Sequence, residues 1–241
     1  MEKAISRETS PAPGHDPLII ALDFDSAAEA DLLVGLIGEA AGFYKVGMEL
    51  FAAAGSDYVR SLLDRGKKVF LDMKYYDIGE TVKRAVRVAA KSGATFLTIH
   101  AVGQVMRAAI EGRGDSDMKL LAVTVLTSLD ENDLRQMGHA CTVSELVAMR
   151  AAQARELGMD GLVASPLEAR NIRKIAGPEA LLVIPGVRSS GAARGDQKRV
   201  ATPADAMRDG ADYLVIGRQV TRAEDPVAAL AAIRQELNAV E

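Results

Sequence analysis

The chain has 241 residues, 49% of them hydrophobic and 26% charged, with a formal net charge of −4. That length suits one large α/β domain or two small ones and allows a sizeable core. The mild acidity lacks the Lys/Arg excess of a nucleic-acid binder, the lone Cys141 cannot form an internal disulfide, and no apolar run has the length of a membrane span or the layout of a secretory signal. The expected setting is a reducing cytoplasm, with neither nucleic acid nor membrane as a partner.

Residues 1–16, MEKAISRETSPAPGHD, mix charges with Ser, Pro and Gly without an apolar period, and a mobile tail is expected there. Glu2 and Glu8 spoil the acid-poor pattern of a transit peptide. From Pro17 to residue 241, short apolar runs alternate with longer amphipathic stretches. The runs are LIIALD (18–23), FYKVG (43–47), KVFLDMK (68–74), TFLTIHA (95–101), KLLAVTVL (119–126), GLVAS (161–165), LLVIPG (181–186) and DYLVIG (212–217). Helix starts fall between them: Ser26 with Glu29 and Thr142 with Glu145 fit capping boxes, while Ser165-Pro166, Thr202-Pro203 and Asp225-Pro226 place Pro at the first helical position. Eight strand-helix units with near-continuous apolar strands predict a parallel sheet closed into a single-domain (β/α)8 TIM barrel over 17–241. An open doubly wound sheet fits less well. No G-x-G-x-x-G follows a strand, and polar residues recur at the carboxyl ends of many strands.

Residues 70–78, FLDMKYYDI, set Asp72, Lys74 and Asp77 at the end of a buried strand, where each uncompensated charge costs several kcal/mol. Strand alternation aims Phe70, Asp72 and Lys74 at the barrel interior and Leu71 and Met73 at the helices. Asp72 and Lys74 then face the mouth at the carboxyl end of strand 3, where barrel active sites lie, and Asp77 follows in the loop. On these three residues alone, a structural ion-pair network plugging the barrel explains the pattern equally well. Asp23 ends strand 1 and Lys45 lies on strand 2, both at the mouth. Lys45, Asp72, Lys74 and Asp77 then read as an alternating array in which a lysine is held protonated by flanking carboxylates, as a proton donor requires.

The other half of the mouth points to phosphate. Strand 8 ends in VIGRQVT, where Gly217 allows close backbone approach, Arg218 can pair with a dianion and a helix start follows. The plain alternative is a helix cap with a surface arginine. After strand 7, RSSGAARGDQKR (188–199) is long for a βα connection and reads as a closing lid bracketed by Arg188 and Gln197, an ordinary disordered loop being the competing view.

The chain resembles the orotidine 5′-monophosphate decarboxylase family from about Pro17 to its end. The resemblance rests on IIALDF (19–24), KVGMELF (45–51), LDMKYYDIGETV (71–82), TVLTS (124–128), IPGVR (184–188), GDQKRVATP (195–203), VIGR (215–218) and AEDP (223–226). It implies an obligately dimeric barrel that converts the orotate nucleotide to UMP without metal or organic cofactor. On that resemblance Lys74 gives a proton to C6 of the pyrimidine, Asp72 borders the departing carboxylate, and Asp23 and Lys45 hold ribose hydroxyls. Asp77 and Thr81 enter the neighbouring subunit's site, Thr127 together with Ser128 contacts the base, and Pro185 borders the pyrimidine. Arg188, Gln197, Gly217 and Arg218 grip the phosphate. Tyr75-Tyr76 departs from the Leu-His that family members often carry before the aspartate.

Two rival readings fit the same residues. One is a metal-assisted phosphosugar decarboxylase, aldolase or epimerase on a related barrel; the other is a catalytically silent nucleotide-binding protein. Among His15, His100 and His139 only His100 sits at a strand end, a poor metal signature better explained by a hydrogen-bonded structural role. Met48, Met73 and Met106 read as core filler.

Overall fold

The computed structural model describes residues 16–189 and 201–239. Eight parallel strands pair in chain order, and the last closes on the first. They are β1 (Leu18–Leu22), β2 (Phe43–Gly47), β3 (Lys68–Tyr75), β4 (Phe96–His100), β5 (Lys119–Val123), β6 (Gly161–Val163), β7 (Leu181–Pro185) and β8 (Tyr213–Ile216). Each apolar run picked out in the sequence carries one of them, and the (β/α)8 barrel expected from the pattern is the fold. Around it lie α1 (Ala27–Ile37), α2 (Met48–Asp64), α3 (Gly79–Ala90), α4 (Gly103–Arg113), α5 (Glu131–Gln136), α6 (Val143–Glu156), α7 (Ala169–Ala176), α8 (Pro203–Arg208), α9 (Arg218–Thr221) and α10 (Pro226–Asn238).

Strand alternation divides the core into two. Leu18, Ile20, Leu22, Tyr44, Val46, Leu97 and Ile99 point outward beneath the helices, while Ile19, Ala21, Phe43, Phe70, Phe96, Leu121, Val123 and Val183 fill the barrel. At the amino ends of the strands Phe43, Phe70, Phe96 and Tyr213 pack ring against ring, with centroids 5.1 to 5.9 Å apart and steeply tilted planes. Such edge-on packing suits the aromatic quadrupole and makes a solid floor. Two positions further along the same inward faces come Lys45, Asp72 and Thr98. The pleat that lays the floor therefore also raises polar groups above it.

Several helix starts form as the sequence indicates. Thr142 Oγ1 accepts from Glu145 N at 3.2 Å, and the Glu145 carboxylate accepts from Thr142 N at 2.8 Å. Thr202 and Asp225 cap α8 and α10 ahead of Pro203 and Pro226, and Ser165 caps a single 3-10 turn opened by Pro166. Ser26 corrects the expectation: it stands at the start of α1 without a side-chain capping bond, and Glu29 lines the barrel cavity instead of reaching back. A capping box on α5, formed by Asp130 and Asp133, was not anticipated, because six residues set no readable period.

Acidic residues also brace the lower face. Asp160 accepts from Leu120 N at 2.9 Å and pairs with Arg113, and Asp212 accepts from Leu182 N at 2.7 Å and pairs with Arg173 at 2.5 Å. Each carboxylate satisfies a strand N–H at the rim and a cation from the helix layer at once, which offsets its own desolvation. Asp16 pairs with Arg234 at 2.6 Å and accepts from Leu18 N at 3.1 Å. It is therefore tied to the barrel, and the rest of the expected tail lies outside the described residues. No helix among the described residues is long and apolar enough to cross a membrane.

Candidate functional site

A cavity of about 870 Å³ opens at the carboxyl ends of the strands, with Phe70 at its base. On one wall four charges alternate in sign. Asp23 Oδ1 accepts from Lys45 Nζ at 2.8 Å, Lys45 Nζ lies 3.4 Å from Asp72 Oδ2, and Lys74 Nζ lies 2.7 Å from Asp72 Oδ1. Exposure orders the roles: the side chains of Lys45 and Asp72 are 10% and 12% accessible, whereas that of Lys74 is 26% accessible. Of the two lysines, Lys74 is the more open to a bound molecule.

The array exists because its members compensate one another. Burial alone would push the Lys45 ammonium down, but Asp72 and Asp23 more than offset this and hold it above its ordinary value. Burial would likewise raise the Asp72 carboxyl, yet Lys45, Lys74 and a hydrogen bond from Thr98 carry it below the ordinary 3.8. Both groups are therefore ionised near neutrality. Gly47 makes the geometry possible, since a Cβ there would stand 3.1 Å from Lys45 Nζ and 3.4 Å from Asp23 Oδ1.

β3 does not continue as a regular strand through the site. Its pairing with β4 runs from Leu71 opposite Leu97 to Tyr75 opposite Ile99, so four steps on β3 match two on β4. An excess of two residues preserves the alternation, and Asp72 and Lys74 both remain on the cavity side. Lys74 itself adopts a positive φ of 47°, a conformation that costs a non-glycine residue about 1 kcal/mol or more. The sequence pattern anticipated the facing of Asp72 and Lys74 but not this distortion.

The opposite wall carries cations. Arg188 and Arg218 both line the cavity, and Arg188 is pushed below its ordinary value by burial and then by the like charge of Arg218. Two guanidiniums held this way gain when an anion comes between them. Gln219 Nε2 donates to Ser189 Oγ at 2.6 Å, and Ser189 N donates to Gln219 Oε1 at 3.3 Å, which ties the segment after β7 to α9 and sets the two arginines relative to each other. A Cβ on Gly217 would meet no protein atom within 4 Å and would point into open space, in keeping with close approach of a ligand to that backbone.

Thr127 and Pro185 also line the cavity, whereas Ser128 is exposed and does not. Gln197 and nearly all of the expected lid lie outside the described residues. Asp77 and Thr81 are not part of the cavity of one chain. Asp77 is exposed and accepts from Ile78 N at 2.6 Å, so the array ends in Asp23 rather than Asp77. Met48, read from the sequence as core, is 60% exposed at the cavity rim; Met106 is buried, and Met73 packs against the outer core. The His100 ring is half-buried against Tyr76, with centroids 5.5 Å apart, and burial with Arg150 and Lys74 nearby lowers its pKa from 6.5. Gly47, Thr98 and Gln219 were missed by sequence reasoning. Only the inward phase of Thr98, between Phe96 and His100, could have marked one of them.

Fold and cavity together define a barrel enzyme whose charged groups converge at the carboxyl ends of its strands. A profile of the family described as orotidine 5′-phosphate decarboxylase / HUMPS matches residues 16–233, and the chain belongs to that family. A protein of Nitrobacter winogradskyi named orotidine 5′-phosphate decarboxylase is 52% identical over 222 residues, 92% of each chain. One of the same name from Methylobacterium radiotolerans is 53% identical over 229 residues, covering 95% of this chain and 99% of its own. The crystal structure of orotidine 5′-phosphate decarboxylase from Lactobacillus acidophilus superposes with a TM-score of 0.81 at 38% identity, covering 92% of this chain and 99% of the other.

Proposed function

We propose that this protein is an orotidine 5′-phosphate decarboxylase, forming UMP and carbon dioxide without a cofactor and serving UMP biosynthesis in the cytoplasm. The observation that carries the reading is the Asp23–Lys45–Asp72–Lys74 array opening onto a cavity whose far wall bears Arg188 and Arg218. Breaking the bond between C6 and its carboxylate leaves an electron pair on C6, on a ring with no adjacent sink. Fixed positive charge beside that carbon is then the main source of stabilisation. The Lys74 ammonium supplies it and passes a proton to C6, and solvent returns the proton to the amine. Asp72 borders the leaving carboxylate.

The remaining groups hold the substrate. Asp23 and Lys45 take ribose hydroxyls, Thr127 with Ser128 meets the base, and Pro185 flanks the ring. Arg188, Gln197, Gly217 and Arg218 take the phosphate. Asp77 and Thr81 lie outside the cavity of their own chain, which suits a homodimer in which they complete the site of a second copy.

Purified protein mixed with orotidine 5′-monophosphate should show loss of the substrate's ultraviolet absorbance, undiminished by a chelator. Loss of the activity on chelation would favour the metal-assisted reading, and nucleotide binding without carbon dioxide release the silent one. Arg218→Ala should lower kcat/KM about 10²-fold, the usual result of truncating one partner of a charge-assisted contact. Because phosphate binding energy also organises the reacting end, kcat should fall as well. The ratio of kcat/KM for the nucleotide to that for orotidine checks this, and a ratio equal to the wild-type value would remove Arg218 from the phosphate site.

A further inference from the structure

Where β3 spends four steps against two on β4, Thr98 is the single β4 residue facing Asp72, Met73 and Lys74. It is fully buried. Its Oγ1 accepts from the Lys74 backbone N–H at 2.9 Å and donates to Asp72 Oδ1 at 3.0 Å. One hydroxyl thus replaces the ladder bond that the register shift takes from Lys74 and also fixes the carboxylate that holds the Lys74 ammonium at 2.7 Å. A positive φ on a non-glycine residue persists only where its surroundings enforce it, and the bond from Lys74 N to Thr98 is such an enforcement.

We propose that Thr98 is a positioning residue for the decarboxylation, its hydroxyl locking the backbone turn of Lys74 and the orientation of Asp72 as one unit. The inference rests on the function proposed above, but the geometry it concerns can be tested separately. Without the hydroxyl, the Lys74 N–H and Asp72 Oδ1 each lose a partner that a fully buried side chain supplies. The turn relaxes, and the ammonium shifts from its place. A displacement of about 1 Å is enough to slow a positioned reaction markedly.

The groups that face Asp72 are Lys45 from β2, with Asp23 of the β1 end behind it, Lys74 on its own strand, and Thr98 from β4. His100 of β4 and Arg150 of α6 lie on the Lys74 side. The Thr98 bond favours the ionised carboxylate, so its removal moves the titration of Asp72 to higher pH.

The test compares Thr98→Val and Thr98→Ser with the wild type as full-length chains, by steady-state kinetics across pH and by NMR titration of the 13C-labelled Asp72 carboxyl. Thr98→Val should lower kcat roughly 10- to 100-fold with KM altered less than about threefold, and should move both the acid limb of kcat/KM and the Asp72 titration upward. Thr98→Ser, which keeps the hydroxyl and drops the methyl, should restore all three readouts. An Asp72 titration unmoved in Thr98→Val, or a serine variant as impaired as the valine one, overturns the proposal. Should Thr98→Val not fold, Thr98→Cys, with its weak donor and similar volume, takes its place under the same outcomes. A wild-type protein that does not turn over orotidine 5′-monophosphate would sink the proposed function alone, and the NMR titration would still decide whether Thr98 positions Asp72.

Discussion

Lys74→Ala should lower kcat by at least about 10⁴-fold, since on the proposed mechanism it removes both a fixed charge beside the developing carbanion and the proton donor. The fold should survive. Asp72 keeps Lys45 at 3.4 Å and the Thr98 hydroxyl, so its carboxylate is not left uncompensated. Lys74→Gly should be equally inactive yet more stable than the alanine variant by about 1 kcal/mol, because glycine takes a φ of 47° without strain. Thermal melts and kinetics on the two variants separate the charge from the backbone, and near-normal kcat in either removes Lys74 as the donor. If Asp77 completes the site of a second copy, mixing Lys74→Ala chains with Asp77→Ala chains should return about a quarter of wild-type activity. Half of the dimers would then be mixed and carry one intact site each. No recovery after demonstrated subunit exchange would mean the site is not shared.

Asp72→Asn should be the most damaging change to the molecule as a whole. It removes the anion of the array that faces both ammonium groups, leaving Lys45 with Asp23 and Lys74 with no carboxylate partner from this array. Breaking a buried ionic arrangement from one side costs about 3 kcal/mol, and misplacing Lys74 should lower kcat/KM about 10³-fold. The pH dependence of stability offers a second measurement. A carboxyl with a lowered folded-state pKa contributes stability that is present above its ordinary value of 3.8 and is lost as pH falls through the folded value. Lys45, raised above 10.5, contributes stability that is present below that value and is lost as pH rises through its own folded value. Urea denaturation from acid to alkaline pH should therefore give a plateau flanked by two declines, and Asp72→Asn should weaken the acid decline in particular. An asparagine variant as stable and as fast as wild type would make the array dispensable.

Much of this architecture is legible in the sequence because a closed parallel barrel imposes a strict inside-outside rhythm. Phe70, Asp72 and Lys74 follow it, as do Phe43 and Lys45, so the inward facing of these charged groups could be read from the alternation, though not which acid ends the array. What the rhythm does not carry is any local break in it. The extra residues of β3 leave the phase unchanged, so nothing in KVFLDMK marks the distorted backbone at Lys74. Thr98 sits in TFLTIHA as an ordinary β-branched residue, and its importance lies in a partner on another strand. The bond between Ser189 and Gln219 spans 30 positions and has no local signature. Asp77 shows the reverse case: its spacing from Lys74 suggested one array, but three dimensions place it on the outside of its own chain.

The stack of Phe43, Phe70, Phe96 and Tyr213 fills the barrel at the amino ends of its strands, and among the described residues the cavity opens at the opposite, carboxyl end. On the proposed function, substrate, nucleotide product and gas would then share that one threshold. Traffic through that opening, rather than through the wall of strands, is where any cap over the mouth would exert its control.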